Sequence, residues 1–169
     1  MIILGIDPGL KGAFCLIKDE EVLEIFPMPI KAARKGSVIN LVSIKAWLDI
    51  IHKKYTIDFV VIEKQIVVSR QGLSSSGKTM YQFGLLVGLC TGLDIDVKIV
   101  TAIKWQKIIF PKVDQDNMKS YNYGDTKIKS IAFVEQNYNS SYLYTTPRQR
   151  KPSDGIADAI CIARAGLEL

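Results

Sequence analysis

The chemistry this sequence can offer is that of carboxylates. His52 is the only histidine, and Cys15, Cys90 and Cys161 are far apart and set inside apolar runs. That usage favours buried free thiols and argues against disulfides, zinc knuckles, histidine zinc sites and Ser-His triads. Four acids stand out instead. Asp7 closes the apolar run Ile2-Ile3-Leu4-Gly5-Ile6 and is followed at once by Pro8-Gly9, and Glu63 closes a second such run, Asp58-Phe-Val-Val-Ile-Glu63. Runs of this kind read as buried strands. The residue before a proline is held extended, so Asp7 is presented from a strand tip in a fixed direction. Asp154 and Asp158 follow Ser153 at a spacing of four, which places them on one face of a helix, with Ile156, Ala159, Ile160 and Ala163 on its apolar side. Each acid also has a plainer reading: Asp7 as a turn cap, Asp154 as a partner of the helix dipole. Asp158, one turn further in beside apolar neighbours, has less structural reason to be charged.

These positions need a scaffold that brings them together. With 169 residues, 48% of them hydrophobic, the chain suits one compact domain over 1–169. Gly12–Lys18 reads as a strand returning beside the first, and Glu21–Phe26 as a third, giving an antiparallel meander. Lys31–Gly36 reads as a polar connection, and Ser37 as the N-cap of a helix to about Lys54, where Leu41, Ile44, Leu48 and Ile51 recur at helical spacing and Trp47 reads as a packing residue. A parallel strand over Asp58–Glu63, reached through that helix, sets Asp7 and Glu63 side by side outside the carboxyl ends of the strands, where open α/β sheets bind ligands. Asp96–Val100 reads as a fifth strand and Thr101 as the cap of a short helix containing Trp105 and Lys107. Residues 111–123 and 139–153 read as loops, Gly124-Asp125 as the start of a helix to about Tyr138, and Ser153 as the cap of a last helix to about Leu167. No apolar run approaches the roughly 20 residues that cross a bilayer, and the first residues lack the layout of a secretory leader. The expected setting is cytoplasmic, with no membrane partner.

The net charge of +5 is unevenly placed. Between Lys98 and Lys151 there are ten Lys or Arg and four Asp or Glu; elsewhere there are twelve and thirteen. Trp105, Tyr121, Tyr123, Tyr138, Tyr142 and Tyr144 are interleaved with that basic excess, the mixture expected where phosphates are neutralised and bases stacked. A solvated lysine-rich face is the plainer alternative.

Gly72-Leu-Ser-Ser-Ser-Gly77-Lys78-Thr79 matches the phosphate-loop pattern of nucleotide-binding proteins letter for letter. Its context is poor, because such a loop joins strand directly to helix and the preceding apolar strand stops at Glu63; a short strand over Gln65–Ser69 would repair this. The same residues also suit a DNA phosphate, through backbone N–H groups, hydroxyls and Lys78 at the start of a helix from about Gly77 to Gly92. Gly84, Gly88 and Gly92 recur four apart in that helix and strip one face of side chains, which permits close approach of another helix, internal or from a second subunit.

In order and spacing these motifs resemble the RuvC-like Holliday-junction resolvases, a branch of the ribonuclease H-like nucleases. Ile3-Leu-Gly-Ile-Asp-Pro-Gly9 is similar to that family's opening motif, Val61-Ile-Glu63 to its second and Ala157-Asp-Ala-Ile-Cys-Ile-Ala163 to its last. Phe83-Gly84, Gly88 and the segment around Trp105 are similar to phage and organellar branches. The bacterial family commonly separates its last two acids by three positions, whereas Asp154 and Asp158 are four apart. It also carries a lysine near the site, where Lys127 falls, with Lys129 and Lys119 close enough to compete. The resemblance implies an α/β fold with a ribonuclease H-like mixed five-stranded sheet, three antiparallel strands followed by two parallel ones, and helices on both faces. It further implies a homodimeric endonuclease that cuts four-way and related branched DNA, in a bacterial cell or, for a phage protein, the host cytoplasm. Two Mg²⁺ ions, replaceable by Mn²⁺, would be held by Asp7, Glu63, Asp154 and Asp158, with Lys127 completing the catalytic set. Gln71, Ser74, Ser75, Ser76, Lys78, Lys104, Lys107, Lys119, Lys129, Arg148, Arg150 and Lys151 are the expected DNA contacts. A nucleotide-dependent protein, built on Gly72–Thr79 or on Asp7-Pro-Gly9 as an actin-like phosphate loop, and a non-catalytic branched-DNA-binding module are the alternatives.

Overall fold

The opening apolar run forms strand β1 (Ile2–Ile6), which lies at the centre of a sheet because both of its edges find partners. In the computed structural model, which describes residues 1–34, 36–66, 73–114, 116, 118 and 124–169, β2 (Ala13–Lys18) pairs antiparallel with β1 and sets Gly5 opposite Cys15. β3 (Glu21–Pro27) continues the meander, followed by a small separate hairpin of β4 (Ile30–Ala32) and β5 (Ser37–Ile39) and by helix α1 (Leu41–Tyr55). The chain then returns as β6 (Phe59–Glu63), parallel to β1 with Val61 beside Gly5. Helix α2 (Leu73–Thr91) leads to β7 (Asp96–Val100), parallel to β6 with Val100 beside Glu63. The order β3-β2-β1-β6-β7 is the expected mixed sheet, antiparallel on one side of β1 and parallel on the other. Helices α3 (Ala102–Ile109), α4 (Asp125–Asn137) and α5 (Asp154–Gly166) complete the chain.

Alternation along the strands builds two cores, one on each face. Ile3, Cys15, Ile17 and Val61 pack with Trp105 and Ile109 of α3, Ile131 and Phe133 of α4, and Ile156, Ile160 and Ala163 of α5. Leu4, Ile6, Phe14, Leu16, Val60 and Ile62 pack with Ile44, Leu48 and Ile51 of α1 and Leu86 and Cys90 of α2. Because both faces are covered, the strands read as unbroken apolar runs rather than as alternating ones. The three cysteines are free and buried in these layers, and Trp47 stacks on Phe26 at 4.8 Å. Among the described residues no helix is long and apolar enough to cross a membrane.

Helix α5 approaches β1 more closely than side chains allow. A Cβ on Gly5 would lie 2.4 Å from the Ala163 nitrogen, and one on Gly155 would lie 1.9 Å from the Lys11 carbonyl oxygen. Gly155→Ala must therefore move the start of α5 away from the turn after β1, an overpacking cost of about 1–3 kcal/mol. A melting temperature several degrees below that of the wild type, together with weakened function, is the expected result; an unchanged melting curve would contradict this packing.

Several local expectations are corrected. Residues 30–39 are not a plain polar connection: Ile30, Lys31 and Ala32 pair with Ile39, Val38 and Ser37, and Ala33 donates to the Gly36 carbonyl at 3.0 Å, with Gly36 at φ 79°. Glycine takes this left-handed conformation without strain, which is what lets so short a connection reverse. Ser37 thus belongs to a strand, and α1 is capped by Asn40, whose side-chain oxygen accepts from the Ser43 N–H at 3.4 Å. Helix α2 starts at Leu73, earlier than Gly77, so residues 73–79 are helical and not laid out as a phosphate-binding loop. Gln65 is not in a strand; Gly72 and the rest of the suggested short strand beyond Ile66 lie outside the described residues. Cβ atoms built on Gly84 and Gly88 meet nothing within 4 Å, so no other element of this chain's described residues packs on that face of α2.

Candidate active site

The sheet register brings the first two acids together. Ile6 pairs with Ile62, so Asp7 and Glu63 leave adjacent parallel strands at the same edge. The Asp7 N–H donates to the Ala13 carbonyl at 3.0 Å, and its Oδ1 accepts from the Gly9 N–H at 3.1 Å, which fixes the carboxylate against the turn. The close approach of Gly155 to Lys11 then delivers α5. Ser153 caps that helix, its Oγ accepting from the Ile156 N–H at 3.3 Å, and Asp154 and Asp158 occupy its first and second turns.

Neighbouring side chains hold two of these carboxylates directly and bias a third. The Trp105 indole Nε1 donates to Glu63 Oε2 at 2.7 Å. Lys127, on the first turn of α4, makes an ion pair with Asp154 Oδ2 and is half exposed. The buried Ser130, one turn further along α4, donates its hydroxyl to the Thr126 carbonyl at 3.2 Å and lies where it favours the charged form of Asp158. Lys127 is placed against the acids. Lys129 Nζ lies over the Phe110 ring, 5.7 Å from its centroid, and Lys119 is outside the described residues.

The acids influence one another electrostatically. Burial pushes the Asp7 carboxyl up to about 6; the Gly9 N–H opposes this, Glu63 and Asp154 add to it and Lys127 subtracts. Burial pushes Asp158 up to about 7, opposed by Ser130 and reinforced by Asp7, Glu63 and Asp154. Glu63 is raised by burial too, with the Trp105 hydrogen bond acting in the opposite direction. Among the described residues no three His, Cys, Asp or Glu side chains converge into a ready-made ion cage. Mg²⁺ does not require one, since it typically takes one or two carboxylates and fills its octahedron with water and substrate phosphate. Partly desolvated oxygens whose charges disfavour each other suit a hard cation, and Asp7, Glu63 and Asp158 are the oxygen donors that would hold it.

The expected nucleic-acid contacts are distributed around this edge. Lys78 is exposed on α2 and lines a recess of about 310 Å³ with Pro8, Gly9, Ser37, Gln65 and Gln82. A second recess of about 260 Å³ shares Lys78 and Gln82 and adds Lys31 and Val38 of the unanticipated hairpin. No acid lines either recess among the described residues. Another recess, of about 430 Å³, lies away from the acids between α3 and α4 and is lined by Lys107 and Lys129. Lys104, Arg148, Arg150 and Lys151 lie on the surface, Lys104 on α3 and the other three in the stretch before α5. Ser76 is only 6% exposed, and its hydroxyl has no hydrogen-bond partner among the described residues. Ser74 and Ser75 open α2, while Gln71, Tyr121 and Tyr123 fall outside the described residues. Trp105, counted in sequence among aromatics suited to base stacking, is 1% exposed and faces Glu63 instead. Neither Trp105 nor Ser130 is connected to the acids by the sequence. The available signals were spacing alone: Trp105 follows by five positions the strand residue that pairs with Glu63, and Ser130 lies on the helical face of Lys127.

No protein-family model matches the sequence, and no curated protein does. Solved structures do match in fold. Thermus thermophilus RuvC in complex with a Holliday junction substrate superposes with a TM-score of 0.62 at 14% identity, over 98% of this chain and 92% of that one. The yeast mitochondrial Holliday junction resolvase Ydc2 gives 0.56 at 13% identity, over 96% and 76%. Fowlpox virus resolvase, solved with substrate Holliday junction DNA, gives 0.52 at 16%, over 99% and 97%. The fold is ribonuclease H-like.

Proposed function

We propose that residues 1–169 act as one nuclease domain that resolves four-way DNA junctions by paired symmetric nicks, hydrolysing phosphodiesters with Mg²⁺ at the Asp7, Glu63 and Asp158 carboxylates. The observation that carries this reading is that these side chains, from the residue after β1, the end of β6 and the second turn of α5, meet at the carboxyl edge of the sheet, where Glu63 raises the proton affinity of Asp7, and Asp7 and Glu63 raise that of Asp158. The fold likeness adds to it, since the matched proteins are junction resolvases and two were solved with junction DNA. Bound divalent ions would supply the charge that activates water and steadies the leaving oxygen. The chain's own residues supply the rest. Asp7 is oriented by the Gly9 N–H, Asp158 is kept available for ionisation by Ser130, and Asp154 and Lys127 form a pair in which the lysine can exchange a carboxylate for a substrate phosphate. Lys78 lies in the recess beside the Pro8-Gly9 turn, and Lys107 and Lys129 in a recess farther from the acids, where they would neutralise the phosphates of departing arms.

Two symmetric cuts take two acid clusters, so the acting unit is a homodimer. The exposed Gly84/Gly88 face of α2, flanked by Tyr81 at 68% exposure and Met80 at 39%, is the surface proposed for the contact. Incubation with synthetic four-way junctions and Mg²⁺, without nucleotide, is expected to give paired nicks. Retarded but intact DNA would instead mean a binding module. Sedimentation should show a dimer, free or on a junction; a monomer under both conditions refutes the pairing.

A further inference from the structure

We infer that Trp105 is a positioning residue for the proposed metal site: its indole N–H holds one oxygen of Glu63 so that the other is presented toward Asp7 and Asp158. The inference rests on the reading of these acids as metal ligands and concerns a residue that touches neither ion nor DNA.

Trp105 is 1% exposed, so its N–H cannot turn to water and must find a protein acceptor. The acceptor is Glu63 Oε2 at 2.7 Å, a charge-assisted bond at the short end of the usual range. Ring and carboxylate are placed by the same piece of architecture. Glu63 pairs with Val100 in the sheet, and the following Lys64 N–H donates to the Val100 carbonyl at 2.6 Å. Thr101, the next residue, caps α3 by accepting from the Lys104 N–H at 3.3 Å, so Trp105 falls one turn into a helix whose start is fixed relative to Glu63. The ring is further immobilised edge-on to Phe110, with centroids 5.6 Å apart and planes at 79°.

A carboxylate at a strand tip is free to rotate about its last bond, and each orientation offers an ion different lone pairs. One fixed oxygen removes that freedom, while the second oxygen's lone pairs stay available. Phenylalanine would fill most of the same space against Phe110, so the N–H is the part of Trp105 that packing does not explain. Burial makes the ionised form of Glu63 costly, and the indole bond opposes that cost, in keeping with a donor that helps keep the ligand charged. Partners of this kind behind a metal ligand typically contribute about 10–100-fold in metal affinity or activity.

The test compares wild type with Trp105→Phe, first in Mn²⁺ binding to the DNA-free protein by electron paramagnetic resonance, then in the Mg²⁺ dependence of junction cleavage. The expected result is Mn²⁺ binding weakened about 10–100-fold, a matching rise in the Mg²⁺ needed for half-maximal cleavage, and an unchanged KM for DNA. Adding Trp105→Phe to Glu63→Gln should weaken Mn²⁺ binding no further, because the indole acts through that carboxylate. If Trp105→Phe fails to fold, 3-benzothienylalanine at position 105 in a Trp47→Phe background keeps the ring size and removes only the N–H; the same weakening is expected. A folded variant of either kind with wild-type Mn²⁺ affinity, whatever its melting temperature, overturns the inference alone. A wild-type protein that binds no Mn²⁺ overturns the reading of the acids as ligands and the inference with it.

Discussion

Asp7→Asn protein is expected to bind four-way junctions and leave them uncut. The amide keeps the shape of the carboxylate and can still accept from the Gly9 N–H that fixes Asp7, so the turn after β1 survives the change. What is lost is the charge that holds a divalent ion. Removing one well-placed electrostatic group from an active site costs about 10²–10³ in rate, and a ligand shared by the whole cluster should reach at least that. Binding should be intact or tighter, since one negative charge facing DNA phosphates is gone. Asp158→Asn and Glu63→Gln should behave alike. Asp154→Asn should be milder, because Lys127 already neutralises Asp154 and a partly exposed ion pair contributes only about 0–1 kcal/mol. Gel-shift and nicking assays on the same junction separate the two effects; an Asp7→Asn protein that cuts at the wild-type rate would end the proposed mechanism.

The sheet and its acids were legible because their signals are local. An apolar run that stops at an acid, followed by turn residues, needs no knowledge of the rest of the chain, and it located β1, β6 and the positions of Asp7 and Glu63. The last helix declared itself through the Ser153 cap and the spacing of its apolar residues. The Gly72–Thr79 pattern shows the opposite case. Its letters suit a phosphate loop, yet the chain is already helical from Leu73, inside the segment, where a phosphate loop would still be wrapping round its anion. The hairpin of Ile30–Ala32 and Ser37–Ile39 leaves little trace in sequence because its strands are three residues each, too short for alternation to show. Ser37 therefore reads as a helix cap in place of Asn40. Contacts such as Trp105 to Glu63 and Ser130 to Asp158 join residues 42 and 28 positions apart. They depend on strand register and on the packing of α4 against α5, which no short window of sequence contains.

Without divalent ions, the protein is expected to lose stability as pH rises from 5 to 8, the reverse of the usual acid-side behaviour. The direction follows from which state binds the proton more tightly. Asp7 and Asp158 titrate at about 6 and about 7 when folded, against 3.8 ordinarily, so between those limits the folded state holds protons that the unfolded state has released. Stability then falls with rising pH. The contribution is fully present below about 4 and lost on passing through 6 to 7, and Glu63, also raised, acts in the same direction. Asp19 and Glu168 are held below the usual carboxylate range, which places their effect below this window, and Lys127 is raised, which places its effect above it. A tenfold difference in proton affinity between the folded and unfolded states corresponds to about 1.4 kcal/mol, so the pair should contribute on the order of a few kcal/mol. At about 2–4 °C per kcal/mol for a chain of this size, that is roughly a 5–10 °C fall in Tm. Mg²⁺ should restore much of the loss at pH 8 and little at pH 5, where the acids are protonated and cannot bind it. Asp7→Asn should melt higher than wild type at pH 8 without metal, since it removes one desolvated charge and its repulsion of Glu63 and Asp158. Thermal melts at pH 5 and pH 8, with and without Mg²⁺, check all three. A wild-type Tm that stays flat or rises between those pH values without metal, or an Mg²⁺ effect of equal size at both, would show that these carboxylates are not the mutually strained, ion-seeking cluster that burial and proximity make of them.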